Sequence, residues 1–154
     1  MGSVITDVMQ SFIGAKSPPI TYRVSHRDVA RFNAAIRGVL PPVENDPDLE
    51  GNEAMIEANP LILRSFITAP FDPPFPEPFH DVLDGGSRFK FIRPVVAGDE
   101  ITAVRKMQEI FEKSGRFGPM LFKITEVSYS DASGELVATQ ESTSISYGRP
   151  AGSV

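Results

Sequence analysis

The C-terminal half of the chain contains long stretches in which apolar and polar residues alternate. These stretches are rich in β-branched and aromatic side chains, and the turn sequences EKSGR and SDASGE separate them. They cover residues 99–111, 116–130 and 135–148. A shorter stretch, SRFKFIR, follows Gly86 and places Phe89 and Phe91 at alternating positions. The pattern predicts four successive antiparallel strands.

The first part of the chain has helical periodicity at residues 4–13, and a glycine follows it as a stop signal. This predicts a short amphipathic helix with an apolar face. That face consists of Val4, Ile5, Val8, Met9 and Phe12. The segment ITYRV, at 20–24, predicts a strand.

A second helix is predicted directly after this strand. Ser25 and Asp28 resemble a capping box, in which the serine accepts from a backbone N–H, and Gly38 closes the helix. The predicted buried stripe consists of Val29, Phe32, Ala35 and Ile36.

The region 39–86 shows little periodicity and is rich in proline. NEAMIEANPLILRSFI has helical potential, but Pro60 interrupts it, and FDPPFPEPF at 71–79 places four prolines among three phenylalanines. Proline removes a backbone donor and fixes φ, so neither a helix nor a paired strand continues through such a segment. A long segment of this kind in a small domain is typical of a functional or partner-covered region.

These elements predict an α+β fold in which an antiparallel sheet packs on helical material. The 154 residues, 41% hydrophobic and 23% charged, suffice for one domain with a sizeable core. We expect a single domain over 1–148, followed by a tail or the start of a linker at 149–154.

Net charge and residue usage exclude several function classes. A net charge of −5 argues against non-specific binding to nucleic acid or to a membrane surface, although a local basic pocket remains compatible with it. The chain has no cysteine, which excludes thiol catalysis, disulfides and cysteine-ligated metals. No apolar run reaches transmembrane length and no signal-peptide layout is present, so we expect a cytoplasmic protein without a metal site.

Three segments carry a family resemblance. They are YRVSHRDVARFNAAIRG, RPVVAGDEI and EKSGRFGPMLFKITEVSYSDASGELVATQ. In order and spacing they resemble the first strand and helix, a turn between strands, and the long hairpin of MaoC-like dehydratases, the hot-dog-fold (R)-specific enoyl-CoA hydratases. The resemblance implies a curved antiparallel sheet around a central helix, with two hot-dog units joined into one continuous sheet. It also implies an acyl-CoA between the units, so coenzyme A is part of the substrate and no separate cofactor is expected.

The catalytic motif that this family requires is absent from the chain. Hydration of an enoyl-CoA needs a base to activate water and a proton for the α-carbon, which the family supplies from an Asp-x-x-x-x-His motif after the first helix. The corresponding stretch, RGVLPPVEN at 37–45, contains neither residue type. The two histidines are His26 and His80, and the residues five positions before them are Thr21 and Phe75. We expect His26 to be a solvated surface residue.

The prolines predict that the central helix of the hot-dog fold is shortened or missing. Phe71, Phe75 and Phe79 would face inward in its place and contact the acyl group, in a groove that the missing helix leaves open. Gly85 and Gly86 can offer backbone N–H groups to the thioester oxygen, or they can form a turn.

The basic residues near these glycines are candidates for contacts with the coenzyme A phosphates. Arg88 and Arg93 alternate along the predicted strand with Lys90, and the alternative is a solvated strand face. Asp99, in AGDE, is expected to fix a turn.

The resemblance and its departures favour a supporting subunit of a heteromeric enoyl-CoA hydratase. A MaoC-like partner chain would supply the Asp and His, while this chain completes the sheet and houses a bulky acyl group such as a steroid. One alternative is a self-sufficient homodimeric hydratase or thioesterase that uses His80 with Asp81 or Asp84. Another is a non-enzymatic module that binds acyl-CoA or docks on another protein.

Overall fold

Five antiparallel strands form a single curved sheet. The computed structural model describes residues 3–38, 56–115 and 118–150, with only the backbone described at 149 and 150. The strands are β1 (Ile20–Arg23), β2 (Phe79–Phe91), β3 (Glu100–Gly115), β4 (Gly118–Ser130) and β5 (Leu136–Pro150). The helices are α1 (Asp7–Gln10), α2 (His26–Arg37) and a 3₁₀-helix (Pro60–Ser65). The strand order is β1-β3-β4-β5-β2, which confirms the predicted α+β class and the curved antiparallel sheet.

Strand β2 begins at Phe79, so the prediction that it starts after Gly86 was wrong. The prolines end at Pro78, and from the next residue the backbone can pair with β5. The glycine pair does not end the strand, because it forms a bulge where the register to β5 shifts between Asp84 and Ser87. The result is a strand of 13 residues at the edge of the sheet.

The N-terminal segment is less helical than its periodicity predicts. Helix α1 has four residues, capped by Thr6, and Val8 is exposed, contrary to the prediction. The chain then turns to pair with β3, since the Gly14 N–H donates to the Met107 carbonyl at 2.8 Å. Pairing with the sheet satisfies backbone groups that a longer helix would have satisfied internally.

Helix α2 has the ends that its sequence predicts. The Asp28 N–H donates to the Ser25 side chain at 3.1 Å, and Gly38 ends the helix in the left-handed conformation with φ of +71°. Only the first part of the predicted stripe is covered: Val29 is fully buried and Phe32 is half-buried. Ala35 and Ile36 are exposed, so that part of the prediction was wrong.

Proline 60 begins a helix instead of interrupting one. It occupies the first turn of the 3₁₀-helix, where its missing N–H costs nothing, and the Asn59 side chain caps the turn by accepting from the Leu61 N–H at 3.0 Å. Between residues 56 and 78 this six-residue element is the only helix described, consistent with a shortened or missing central helix. The RGVLPPVEN stretch lies largely outside the described residues.

One face of the sheet, here called the covered face, carries two hydrophobic cores. The helix-side core lies under α2 and the 3₁₀-helix, and the proline-side core lies under α1 and residues 70–78, the proline-rich segment. The fully buried members of the helix-side core include Val29, Leu63, Ile101, Ala103, Tyr129, Val137 and Ala138. The proline-side core consists of Met9, Phe12, Phe71, Phe79, Met107, Ile110 and Leu121, with Phe75 packed against it.

Candidate functional site

The proline-rich segment lies over the covered face and packs its aromatic rings inward. Phe71 and Phe79 are buried in the proline-side core, and Phe75 is half-buried at its margin. The ring of Phe12 meets Phe71 edge to face at 6.0 Å and Phe75 at 5.2 Å between centroids. The structure therefore brings together the three phenylalanines that the sequence nominated.

A cavity of about 320 Å³ lies between this segment and the strands beneath it. Its apolar walls include Phe71, Phe75 and Met107. Its polar floor includes Arg105 from β3 and Lys123 from β4, with Thr125 and Ser144 beside them. The cavity is close to the lower limit of about 300 Å³ for small-molecule pockets in proteins. We call it the floor cavity.

Lys123 is a buried cation with a partner in the proline-rich segment. Its ammonium group forms a salt bridge with the Glu77 carboxylate and lies 4.9 Å from the centroid of the Phe75 ring. A buried charge is costly unless it is paired, so the salt bridge accounts for a lysine in the floor. It also fastens the proline-rich segment to β4.

Arg105 is the second cation of the floor, and it forms no salt bridge with any carboxylate in the described part of the chain. Its side chain is half-buried, and this burial lowers the pKa of the guanidinium. The nearby Tyr129 hydroxyl is buried too, and its burial raises the pKa of Tyr129 to about 12. This hydroxyl lies 2.8 Å from the side-chain oxygen of Gln140, to which it donates.

Sequence reasoning did not find Arg105, Lys123 or Glu77, although a signal for the two cations was present. In β3, alternate positions place Ile101, Ala103, Arg105 and Met107 on one face of the sheet. In β4, Leu121, Lys123, Thr125 and Val127 do the same. Each cation therefore occupies an inward-facing position of a strand whose other inward-facing residues are mostly apolar. This is the pattern expected of a polar group on the covered face of the sheet.

The glycine pair occupies the bulge of β2 and does not present two free N–H groups. The Gly86 N–H donates to the Asp84 carboxylate at 2.8 Å, and Gly86 has φ of +104°. A Cβ on Gly85 would lie 2.8 Å from Cγ2 of Thr143 on β5, so only glycine fits there. Asp84 also lies 3.5 Å from a guanidinium nitrogen of Arg64.

The His80 and aspartate group lies on the exposed edge strand. His80, Asp81 and Asp84 are all exposed, and Asp81 lies against Gly148 of β5. Asp81 opposes Tyr147 and Asp84 opposes Ser144, which places the two carboxylates on opposite faces of the sheet. No hydrogen bond or salt bridge joins His80 to either aspartate among the described residues.

The two arginines nominated for coenzyme A phosphates lie in different environments. Arg88 is exposed on the face opposite the floor cavity. Arg93 donates to Asp99 at 2.9 Å and to Asp131 at 3.0 Å, and the hydrogen bond that it donates to Asp99 raises the pKa of Arg93. Arg93 follows the end of β2, whereas Phe79 begins it, so the structure does not bring Arg93 together with the phenylalanines.

Asp99 fixes a turn, as its sequence context predicts. Its carboxylate accepts from the Val96 N–H at 3.0 Å as well as from Arg93. In the next hairpin Asp131 accepts from the Ser133 hydroxyl and from Arg93, and these bonds lower the pKa of Asp131 to about 2. One arginine thus ties two turns together at this end of the sheet.

The described residues contain no group of three or more His, Asp or Glu side chains placed to hold a metal ion. They also contain no helix with the length and apolar character needed to cross a membrane.

Most of the sequence matches one known protein family. The family described as "FAS1-like, dehydratase domain region" matches residues 11–140. The chain belongs to this family of dehydratase domains. A UPF0336 protein of Streptomyces avermitilis is 29% identical over 116 residues, which cover 69% of this chain and 75% of that protein.

Solved structures share the fold of this FAS1-like dehydratase domain. The ChsH1–ChsH2 complex of Mycobacterium tuberculosis contains a chain with a TM-score of 0.66 and 15% identity, covering 95% of this chain and 96% of that chain. The C-terminally truncated HadBC (3R-hydroxyacyl-ACP dehydratase) complex of the same organism gives 0.57 and 18%, covering 87% and 96%. The predicted hot-dog fold is confirmed, and both similar structures are complexes of named subunits.

Proposed function

We propose that this chain is the supporting, non-catalytic subunit of a heteromeric MaoC-like enoyl-CoA hydratase. A second MaoC-like chain supplies the aspartate and the histidine that add water to a 2-enoyl-CoA, with hydroxide to the β-carbon and a proton to the α-carbon. This chain completes the sheet and houses the acyl group.

The observation that carries the proposal is a missing acid/base pair in a member of a dehydratase family. The sequence has no Asp-x-x-x-x-His, and its two histidines are His26, on the first turn of α2, and the exposed His80. Addition of water to an enoyl thioester needs a base and an acid that address the same water. A dehydratase domain without such a pair needs another chain to provide it.

The edge strand β2 offers a place for this partner chain. On the other side of the sheet, β3 is covered by β1 and by residues 14–17, while one edge of β2 pairs with nothing among the described residues. Val82, Leu83 and Phe91 are between 43% and 55% exposed along this 13-residue strand. A long unpaired edge with exposed apolar residues is prone to pair with another strand, and the proposed occupant is the edge strand of the catalytic chain.

The acyl group is proposed to enter the groove on the covered face against Phe71 and Phe75, which line the floor cavity, while Phe79 supports them from the proline-side core. In the described residues 56–78, a 3₁₀-helix and the proline-rich segment stand where a long central helix would fill this groove. The floor cavity is one part of this groove, and the proposed occupant of the groove is a bulky, ring-containing acyl group such as a steroid.

The proposal is tested by following enoyl-thioester hydration through loss of the conjugated absorbance. The full-length chain is assayed alone and together with a co-expressed MaoC-like chain that contains Asp-x-x-x-x-His, with straight-chain and steroidal 2-enoyl-CoA. We expect turnover only in the mixture, and none when the partner's histidine is replaced by alanine. Preference for the steroidal substrate supports the bulky acyl group.

Two results would replace the proposal. Turnover by the chain alone that disappears in His80→Ala would assign a self-sufficient hydratase. Binding of acyl-CoA without turnover in any combination would assign a non-enzymatic module.

The edge itself is tested by Leu83→Lys, which should abolish co-purification with the partner. The control is Val8→Lys, at an exposed apolar residue on α1.

A further inference from the structure

The floor cavity contains one positive charge that no described residue neutralises. Lys123 is paired with Glu77, and Arg64 lies near Asp84. Arg105 lines the same cavity without a carboxylate partner. Burial of an unpaired cation is unfavourable. A guanidinium at such a position therefore indicates that a bound ligand provides the hydrogen-bond acceptor.

We propose that Arg105 is a specificity-determining residue that binds a carboxylate at the distal end of the acyl group. The ligand class is an acyl thioester whose chain or ring system ends in a carboxylate, with the thioester toward the catalytic partner. The inference rests on the proposed function for the thioester and for its position, whereas the distal carboxylate is inferred from Arg105 and the cavity walls.

The chemistry of the cavity favours a carboxylate on an apolar body over a phosphate. Phe71, Phe75 and Met107 provide walls that can cover methylene or ring carbons. The planar guanidinium matches the two oxygens of a carboxylate, and the hydroxyl of Thr125 can donate to one of them. A phosphate of coenzyme A would gain nothing from the aromatic walls.

The backbone around Arg105 holds it at a fixed place in the floor. Its N–H donates to the Ser17 side chain at 3.1 Å, and its carbonyl accepts from the Ser17 N–H at 2.8 Å. Its strand neighbour Val127 is buried. A cation on a rigid strand provides a defined anchor, as expected of a residue that discriminates between ligands.

The test compares two saturated thioesters of N-acetylcysteamine that differ only at the distal end. They are the monothioester of decanedioic acid and the thioester of decanoic acid, and their binding to the full-length chain is measured by isothermal titration calorimetry. We expect the carboxylate to tighten binding by about tenfold or more, as for a charge-assisted hydrogen bond. The advantage should disappear in Arg105→Gln.

Two further variants separate recognition from folding. Lys106→Gln removes a charge from the neighbouring residue, which points to the opposite face of β3, and it should keep the full advantage. Arg105→Lys keeps a cation but not the planar fork, so it should retain a reduced advantage. If Arg105→Gln does not fold, the comparison of the wild-type chain with Arg105→Lys tests whether Arg105 recognises the carboxylate.

Three results would overturn the inference. They are equal affinity of the wild-type chain for both thioesters, an advantage that survives in Arg105→Gln, and displacement of the dicarboxylic probe by coenzyme A or inorganic phosphate at matching affinity. Neither probe can be hydrated, so failure here leaves the hydration assay with straight-chain substrates as a separate test of the proposed function.

Discussion

Lys123 on β4 and Glu77 in the proline-rich segment form a salt bridge across the floor cavity. The lysine is buried in the sheet face, whereas the glutamate lies on a segment that has no regular secondary structure. The Phe75 ring packs over the same ammonium group at 4.9 Å. One charged pair and one aromatic contact therefore fasten a segment without regular secondary structure to the sheet.

Replacement of Glu77 by glutamine should destabilise the protein, because it leaves the Lys123 ammonium buried without a counter-charge. Since Glu77 itself is partly exposed, we expect the free energy of unfolding to fall by about 1–2 kcal/mol, less than for a fully buried pair. Urea denaturation measures the change, with Glu109→Gln, an exposed residue of β3, as the control. An effect no larger than that of the control would show that the pair does not fasten the segment.

Alanine substitutions of Phe79 and Phe75 should distinguish a residue that mainly stabilises the fold from one that also binds the ligand. Phe79 is buried, so Phe79→Ala should lower the free energy of unfolding by about 3–5 kcal/mol through the lost burial and the cavity left behind. Phe75 is half-buried and lines the floor cavity, so Phe75→Ala should cost about half as much. Calorimetry with an acyl thioester should show weaker binding in Phe75→Ala, and unchanged affinity would remove Phe75 from the proposed acyl groove.

Asp131 should contribute stability that depends on pH in the acid range. Its pKa is lowered to about 2 in the folded state by the Ser133 hydroxyl and by Arg93, from an ordinary value of 3.8. The contribution is therefore complete above about pH 4 and is lost as the pH falls from 4 to 2. Thermal melts should give a higher melting temperature for the wild-type chain than for Asp131→Asn at pH 6, and this difference should shrink below pH 4. A difference in melting temperature that is constant with pH would contradict the prediction.

Tyr129 should make the protein sensitive to alkali. Its burial in the helix-side core raises the pKa of the phenol from 10.0 to about 12, so the neutral form is the stable one in the fold. The contribution of the neutral Tyr129 phenol to stability is complete below about pH 10 and is lost as the pH rises from 10 to 12. Tyr129→Phe should lose about 1 kcal/mol at neutral pH with the Gln140 hydrogen bond, and it should lack the alkaline decline.

The control for this prediction is Tyr147→Phe, a half-buried tyrosine on the other face of the sheet. It should keep the alkaline decline of the wild-type chain in urea titrations between about pH 9 and pH 12. An identical pH profile of Tyr129→Phe and the wild-type chain would show that Tyr129 is not the responsible group.

The local sequence was sufficient to predict the strands and the helix that are marked by short sequence patterns. Alternation of apolar residues with glycine-containing turns is sufficient to predict β3, β4 and β5, and the Ser25 cap with Gly38 predicts the ends of α2. The absence of Asp-x-x-x-x-His is also a property of the sequence alone, because a motif of fixed spacing can be sought in any chain.

Only the tertiary structure decided which residues share a site. The start of β2 at Phe79 depends on pairing with β5, about seventy residues later, and its glycine bulge compensates for a register that no local pattern specifies. In the same way Glu77, Arg105 and Lys123 lie on three separate segments, and they meet only because strand register and the path of the proline-rich segment bring them over one cavity. Side-chain periodicity assigns a residue to a face of its own strand, but contacts between strands and segments are set by long-range packing.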